Sequence, residues 1–233
     1  MIENKRVLAF IGARSGSKGL VDKNIKQLNG LPLIAWTIKS ALASQYIDEV
    51  VFSSDSQTYL EIAKGYGATV VERPEELSHD NAALIDAINH AYSEVEAESG
   101  TFDIVINLQP TSPLRNESHI DQALTLFLPE YLKNPNARLF SCYEIKNKYS
   151  WVMRTNDDGF ADFIDNNERN KASHGRQKNP QVLLPNGAIY ILPASDITKF
   201  YNETSIPFIM KEVESIDIDY LEDFAVAERI MQS

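Results

Sequence analysis

The sequence is poor in cysteine, in basic residues and in long apolar runs. Its single cysteine, Cys142, excludes an internal disulfide and a cysteine-cluster metal site, and the apolar string LFSCY around it predicts a buried thiol. Lys and Arg number 22 against 33 Asp and Glu, so the net charge of -11 argues against nucleic acid or an anionic membrane as partner.

No run approaches the roughly 20 apolar residues that a membrane span needs. The N-terminus, MIENKRVLAF, also lacks the apolar segment and cleavage site of a signal peptide. A length of 233 residues suffices for one α/β domain with a sizeable core and a small accessory lobe. We therefore expect a cytoplasmic protein in which residues 1–233 form a single domain.

Strand-like and helix-like patterns alternate in the first half of the chain. Helical spacing of apolar residues begins near Pro32, covers Tyr59–Tyr66 and begins again at Leu84. The short connections predict a mostly parallel sheet covered by helices on both faces. Apolar runs predict the strands of this sheet at Val7–Ile11, Glu49–Ser53, Ala68–Val71 and Asp103–Leu108.

The pattern changes in the second half. Residues 164–180, IDNNERNKASHGRQKNP, have almost no apolar content, which predicts either a disordered loop or an arm ordered by a ligand or a partner subunit. We therefore expect an inserted lobe over residues 140–185. Strands at Ala188–Leu192 and Phe208–Val213 and a closing helix from Leu221 are predicted to follow it.

The loop IGARSGSKGLVDKN (residues 11–24) is the strongest functional signal. Its three glycines let the backbone turn N–H groups toward an anion, and Arg14, Lys18 and Lys23 supply opposite charge. The loop fits neither the Walker nor the dinucleotide glycine pattern. We interpret it as a nucleotide-phosphate cradle, the alternative being a surface turn with solvated charges.

Two further polar segments follow predicted strands. SSDS (residues 53–56) supplies a binding group or, alternatively, only the N-cap of the next helix. In LQPTSPLR (residues 108–115), two prolines stiffen the loop, Gln109 suits a sugar or base edge, and Arg115 suits a phosphate or carboxylate. The alternative for this segment is a rigid turn with a surface arginine.

The last two candidate segments lie toward the C-terminus. In SIDIDYLED, Asp217 and Asp219 project to one side of an extended chain and suit Mg²⁺, unless Asp219 is only an N-cap and Asp217 a solvated charge. The polar arm around Arg176 is locally basic and suits an anionic second substrate, or is a solvated loop. Asn186-Gly187 predicts a tight turn with an exposed amide.

Together these motifs resemble one family. ARSGSKGL-x-x-KN, SSDS, RPEELSHD, LQPTSPLR, RQ-x-x-P, PNGAIYI and SIDID have the order and spacing of the acylneuraminate (CMP-sialic acid synthetase) cytidylyltransferases, from about Val7 to Glu228. The resemblance implies a Rossmann-like three-layer nucleotide-diphospho-sugar transferase fold, with a small inserted lobe through which a homodimer forms. It also implies a reaction in which CTP and an acidic nine-carbon keto sugar give CMP-sugar and pyrophosphate, with Mg²⁺, or Mn²⁺ as a substitute.

The same resemblance implies site residues. The cations Arg14 and Lys23 and the metal carboxylates Asp217 and Asp219 would act in catalysis. The implied nucleotide-binding residues are Ala13, Arg14, Ser15, Gly16, Lys18, Lys23, Asn24, Ser54, Asp55 and Asp80. The implied sugar-binding residues are Gln109, Arg115, Arg176, Gln177, Asn186 and Gly187.

The sequence departs from the family pattern at Ala83 and Leu84, where members often carry serine, and at Ser150, where several carry lysine. The Ser150 departure suggests a sugar other than N-acetylneuraminate, such as legionaminic or pseudaminic acid. Two alternatives stay open. One is a cytidylyltransferase for the eight-carbon acid Kdo, whose members usually carry arginine near the place of Gly19-Leu20. The other is a non-catalytic nucleotide-binding regulator.

Overall fold

Seven strands form one central sheet in the computed structural model, which describes residues 1–16, 19–145, 152–164 and 181–232. The other four described strands form two short hairpins. In chain order the strands are β1 (Val7–Gly12), β2 (Gln27–Leu28), β3 (Leu31–Pro32), β4 (Glu49–Ser54), β5 (Thr69–Glu72), β6 (Ile104–Leu108), β7 (Arg138–Glu144), β8 (Met153–Thr155), β9 (Ala161–Phe163), β10 (Leu183–Pro193) and β11 (Ser205–Ile209).

The helices connect these strands. They are α1 (Leu33–Ala43), α2 (Gln57–Gly65), α3 (Leu84–Ser99), α4 (Glu117–Lys133) and α5 (Leu221–Met231). No helix in the described ranges is long and apolar enough to cross a membrane.

The central sheet has the order β11-β7-β10-β6-β1-β4-β5. Strands β5, β4, β1 and β6 run parallel to one another, β7 pairs in parallel with β11, and β10 is antiparallel to both of its neighbours. The carboxyl ends of the parallel strands therefore meet at one edge, where loops can converge on a ligand.

Helices cover both faces of the sheet. Along β1 successive side chains point to opposite faces, so Ala9 packs with α1, α2 and α4 while Leu8 packs with α3. This two-sided burial explains why the strand VLAFIG is apolar without interruption. The predicted mostly parallel, three-layer α/β arrangement is confirmed.

The structure moves several predicted boundaries. The predicted strand Phe208–Val213 is β11 at Ser205–Ile209, and the residues after it form a short 3-10 turn, Glu212–Glu214. Strand β7 and the first residues of β10 belong to the central sheet. The range 140–185 predicted for the inserted lobe therefore includes residues of the sheet at both of its ends. Of the residues between them, the structure describes the small hairpin β8–β9.

The sequence analysis missed α4 and β7. Helix α4 carries Pro129 in its interior, a residue that normally ends a helix because it lacks an N–H group. The helix forms because Asn116 and His119 make reciprocal capping hydrogen bonds at its start and because its apolar face is buried against the sheet.

The buried face of α4 generates the first prediction. Phe127 is fully buried and stacks on Tyr131 at 5.4 Å between ring centroids, so Phe127→Ala should lower the free energy of unfolding by about 3–5 kcal/mol. The neighbouring Leu126 is exposed, and Leu126→Ala should change that energy by less than about 0.5 kcal/mol. Urea unfolding measures both, and equal losses would contradict the packing described here.

Candidate functional site

A cavity of about 470 Å³ lies beyond the carboxyl ends of β1 and β6. Three segments that are distant in sequence form most of it, the loop after β1, the loop after β6 and the extended segment before α5, and the start of α3 adds Leu84. The cavity is lined by Gly12, Ala13, Arg14, Gly19, Lys23, Asn24, Leu84, Gln109, Pro110, Thr111, Asp217 and Asp219. Seven of the residues assigned to the site in the sequence analysis, Ala13, Arg14, Lys23, Asn24, Gln109, Asp217 and Asp219, therefore line one cavity.

Backbone and side-chain hydrogen bonds hold the start of the first loop. The Ala13 amide donates to the Ser53 carbonyl at 3.1 Å, which extends the pairing of β1 with β4. Ser15 then donates from its amide and its hydroxyl to the carboxylate of Asp55, at 2.9 and 2.8 Å. The loop therefore leaves the sheet in a defined direction, with Arg14 facing the cavity.

The other end of this loop packs against the segment before α5. The Asn24 side chain donates to the Arg14 carbonyl at 3.3 Å, which closes the loop on itself. A Cβ atom on Gly19 would lie 2.8 Å from the Asp219 carbonyl oxygen. Only glycine allows this close approach, so the glycine-rich composition of the loop serves its packing as well as any ligand.

Arg14 joins the main cavity to a smaller one of about 260 Å³. Its guanidinium contacts the Asp80 carboxylate at 2.7 Å. Both cavities share Gly12, Arg14 and Leu84 as lining residues and are therefore adjacent. Asp80 lines the smaller cavity next to the cationic loop, and its binding of a nucleotide stays a prediction.

The sequence analysis missed Arg73, which lines the smaller cavity. Its side chain is buried and donates to the Ser53 carbonyl at 2.9 Å and to the Ser53 hydroxyl at 3.2 Å. Burial lowers the pKa of Arg73; the Asp55 charge opposes that shift and the Arg14 charge adds to it. The signal that could have identified Arg73 is a cation two residues after the predicted strand Ala68–Val71.

The segment SIDID runs along the opposite wall of the cavity. Ile218 is fully buried and its amide donates to the Thr111 carbonyl at 2.8 Å. Because side chains alternate along an extended chain, this buried anchor turns Asp217 and Asp219 toward the cavity. The predicted alternation of the two carboxylates is confirmed.

Several neighbouring groups shift the pKa of Asp217. Removal of water by the surrounding protein raises the pKa of Asp217, and the Asp219 and Asp223 carboxylates raise it further; a hydrogen bond with Thr111 and the Lys23 charge oppose this. Lys23 also contacts Asp219 Oδ1 at 2.9 Å. The described residues contain no group of three or more metal-ligating side chains, so a metal here would take two protein carboxylates and its other ligands from water or substrate.

Gln109 lies at the junction of the cavity with β10. Gly187, with φ at +74°, leaves the space that the Gln109 amide occupies, because a Cβ there would come within 2.5 Å of Gln109 Oε1. Gly187 therefore contributes to the site by making room for Gln109, and its placement differs from the exposed turn that the sequence predicted.

Four predicted binding side chains are located behind the cavity wall instead of in it. Ser54 is buried and accepts a hydrogen bond from the Ser56 amide, Asp55 binds Ser15, and Asn186 bonds to Ser141 and Ser215. Arg115 is only 1% exposed and donates to Thr37. None of these four lines the cavity of about 470 Å³, so their direct contact with a ligand stays a prediction and their described contacts are with protein groups. Ser15 is held by Asp55 and Gly16 is exposed; Lys18, Arg176 and Gln177 lie outside the described residues.

Solved structures share this architecture. CMP:2-keto-3-deoxy-manno-octonic acid synthetase, complexed with CTP, matches with a TM-score of 0.68 at 16% identity, over 97% of this chain and 98% of that one. 4-Diphosphocytidyl-2C-methyl-D-erythritol synthase from Anaerococcus prevotii matches with a TM-score of 0.61 at 15% identity, over 100% and 98%. At such identities the likeness shows the fold alone: the chain has the fold of the CTP-dependent nucleotidyltransferases.

The family follows from sequence. The family model described as cytidylyltransferase matches residues 8–220, and the chain belongs to that family. It is 37% identical to the N-acylneuraminate cytidylyltransferase of Escherichia coli over 97% of this chain and 52% of that protein. It is 35% identical to the CMP-N,N'-diacetyllegionaminic acid synthase of Legionella pneumophila over 97% of each. The chain thus spans about half the length of the first relative and nearly all of the second.

The fit between Gly187 and Gln109 generates the second prediction. Gly187→Ala should lower the free energy of unfolding by more than Gly30→Ala, because both residues have positive φ but only the first would meet a side chain within 4 Å. The Gly30 change should cost about 1–2 kcal/mol for the left-handed backbone alone. Chemical unfolding of the two variants is the measurement, and equal costs would show that the Gln109 amide is not held in place against Gly187.

Proposed function

We propose that this chain transfers CMP from CTP to an acidic nine-carbon keto sugar of the nonulosonic (sialic) type and releases pyrophosphate. The observation that carries the proposal is the convergence of Arg14, Lys23, Gln109, Asp217 and Asp219 on one cavity at the carboxyl ends of the parallel strands. Two cations, two hard carboxylates and one amide with both donor and acceptor groups match what a nucleoside triphosphate and a sugar acid together require.

The proposed reaction is an in-line displacement. The anomeric 2-hydroxyl oxygen of the sugar forms a bond to the α-phosphorus, the bond from that phosphorus to the β-phosphate oxygen breaks, and the hydroxyl proton is lost. Negative charge then grows on the leaving pyrophosphate. Arg14 and Lys23 line the cavity where they can offset this charge, so positioning and electrostatics supply most of the catalysis.

Asp217 and Asp219 would hold Mg²⁺, or Mn²⁺ in its place. The donor set supports this assignment: two carboxylates on one side of an extended segment are hard ligands. Burial raises the pKa of Asp217 and the Asp219 carboxylate raises it further, and a cation would relieve the repulsion between the two carboxylates. When bound, the ion would neutralise phosphate charge and polarise oxygen. Lys23 already contacts Asp219 and can remain beside it while facing the phosphates.

The identity of the sugar is drawn from the relatives. Relatives that act on sialic and on legionaminic acids are similarly close, at 37% and 35% identity. We propose N-acetylneuraminic, legionaminic and pseudaminic acids as the candidate substrates. Ser150, the departure that suggested a sugar other than N-acetylneuraminate, lies outside the described residues.

Homodimer formation and a cytoplasmic location complete the proposal. The homodimer comes from the family resemblance, in which the lobe between β7 and β10 would pair two subunits. The cytoplasmic location fits the proposed use of CTP, because that is where the nucleotide pool lies. Light scattering on the purified protein tests the first point, and a monomer at micromolar concentration would contradict it.

The third prediction tests the reaction itself. Incubation of the protein with CTP, Mg²⁺ and one sugar at a time should release pyrophosphate with at least one of the three nonulosonic acids. Kdo should give little release, and CTP without sugar should give none. Release with Kdo alone would favour the eight-carbon alternative, and CTP binding without release for any sugar would favour the non-catalytic regulator.

The fourth prediction concerns the acidic segment. Asp219→Asn should lower kcat by about 100-fold or more, because it removes one metal carboxylate and leaves Lys23 without its described acidic partner. Glu222→Gln removes an exposed charge three residues away and should leave kcat within about twofold. Both variants should unfold near the wild-type temperature. Near-normal turnover by Asp219→Asn would refute the metal assignment.

A further inference from the structure

Arg115 is a buried cation without a carboxylate partner in the described residues. Its side chain is 1% exposed, its Nε atom has no hydrogen-bond partner there, and burial lowers its pKa to about 9. The other fully buried arginine, Arg138, contacts the Asp196 carboxylate at 2.7 Å. Burying an unpaired charge is costly, so a residue that keeps one needs a compensating role.

The contacts of Arg115 join the loop after β6 to helix α1. Its Nη2 donates to Thr37 Oγ1 at 2.6 Å, and its Nη1 donates to the Gln109 carbonyl at 3.4 Å. Ser40 Oγ donates to the Arg115 carbonyl at 3.2 Å. Thr37 is fully buried and also lies 3.5 Å from the Gln109 carbonyl. The guanidinium therefore connects the first residue of the loop to a rigid helix.

This loop carries two groups of the cavity wall. The amide of Gln109 lies against Gly187, and Thr111 accepts from the Ile218 amide at 2.8 Å and hydrogen-bonds to Asp217. A shift of the loop would therefore move Gln109 and the acidic segment together. Because two prolines stiffen the loop, a displacement of Arg115 should also displace Gln109 and Thr111.

We propose that Arg115 is a positioning residue that orients Gln109 and Thr111 from behind the cavity wall and touches no substrate. A guanidinium suits this task because its planar fork binds two oxygens in fixed directions, which a lysine ammonium does not reproduce. The kinetic part of this inference rests on the proposed function, whereas the structural part, the anchoring of residues 109–115, does not.

The experiment compares matched pairs of variants. Arg115→Lys and Arg138→Lys each keep a buried positive charge and remove a guanidinium, but Arg138 lies at the opposite edge of the sheet, at the amino end of β7. Thr37→Val keeps the size of the side chain and removes the hydroxyl that accepts from Arg115, whereas Thr37→Ser keeps the hydroxyl and removes one methyl group. The Thr37 pair keeps the test informative if an Arg115 variant does not fold.

Two readouts apply to every variant. Hydrogen–deuterium exchange over residues 108–116 reports the anchoring of the loop without any substrate. Steady-state kinetics with CTP, Mg²⁺ and the best nonulosonic acid report KM for each substrate and kcat separately. Thermal unfolding of the same samples shows whether a change in exchange or in kinetics arises from a loss of overall stability.

We expect faster exchange over residues 108–116 in Arg115→Lys and Thr37→Val. KM for the sugar should rise about tenfold, and kcat should fall because Asp217 and Asp219 move with the loop. Thr37→Ser and Arg138→Lys should retain wild-type exchange and KM even where Arg138→Lys lowers the unfolding temperature.

Unchanged exchange in both Thr37→Val and Arg115→Lys would overturn the inference. A kinetic loss in Arg115→Lys but none in Thr37→Val would overturn it in favour of direct substrate contact. If the variants change hydrogen–deuterium exchange over residues 108–116 as expected but the wild-type protein releases no pyrophosphate, the proposed function is refuted. The anchoring of the loop by Arg115 then still stands.

Discussion

The hydrogen bond from the Ile218 amide to the Thr111 carbonyl, 2.8 Å long, holds the two walls of the cavity together. It joins the loop after β6 to a segment that follows three further strands of the sheet, and it fixes which face of SIDID is turned inward. The buried Ile218 side chain locks that choice, because rotating the segment by one residue would expose an isoleucine and bury a carboxylate. The position of Asp217 and Asp219 therefore depends on packing that lies outside the cavity.

Charge in this acidic protein is arranged locally. The net charge is -11, yet Arg14 and Lys23 lie together in the cavity, each with an acidic partner, Asp80 for the first and Asp219 for the second. These ion pairs are partly exposed and therefore weak. An anionic ligand can displace the carboxylates from the two cations at a small cost in free energy. Such exchange would let the cationic loop keep one geometry with and without a nucleotide.

Most of the α/β framework could be predicted because its elements are strongly periodic. The strand VLAFIG and the helices that begin after Pro32 and at Leu84 were found within a few residues of their observed bounds. Helix α4 was missed because Pro129 contradicts its local pattern, and tertiary burial of Phe127 and its neighbours overrides that signal. The reversed direction of β10 was not predictable from periodicity, because an apolar run reads the same in either direction.

For the site, the sequence by itself determined which residue types would meet: glycines with cations after β1, a stiff loop after β6, and alternating carboxylates before α5. Only the tertiary structure decided which way each side chain points. Arg115, Asn186 and Asp55 have the chemistry of ligand-binding groups, yet each is turned to a protein partner behind the wall. The reason is physical: residue type sets what a side chain can bind, whereas the register of strands and the packing of helices set which partner lies within reach.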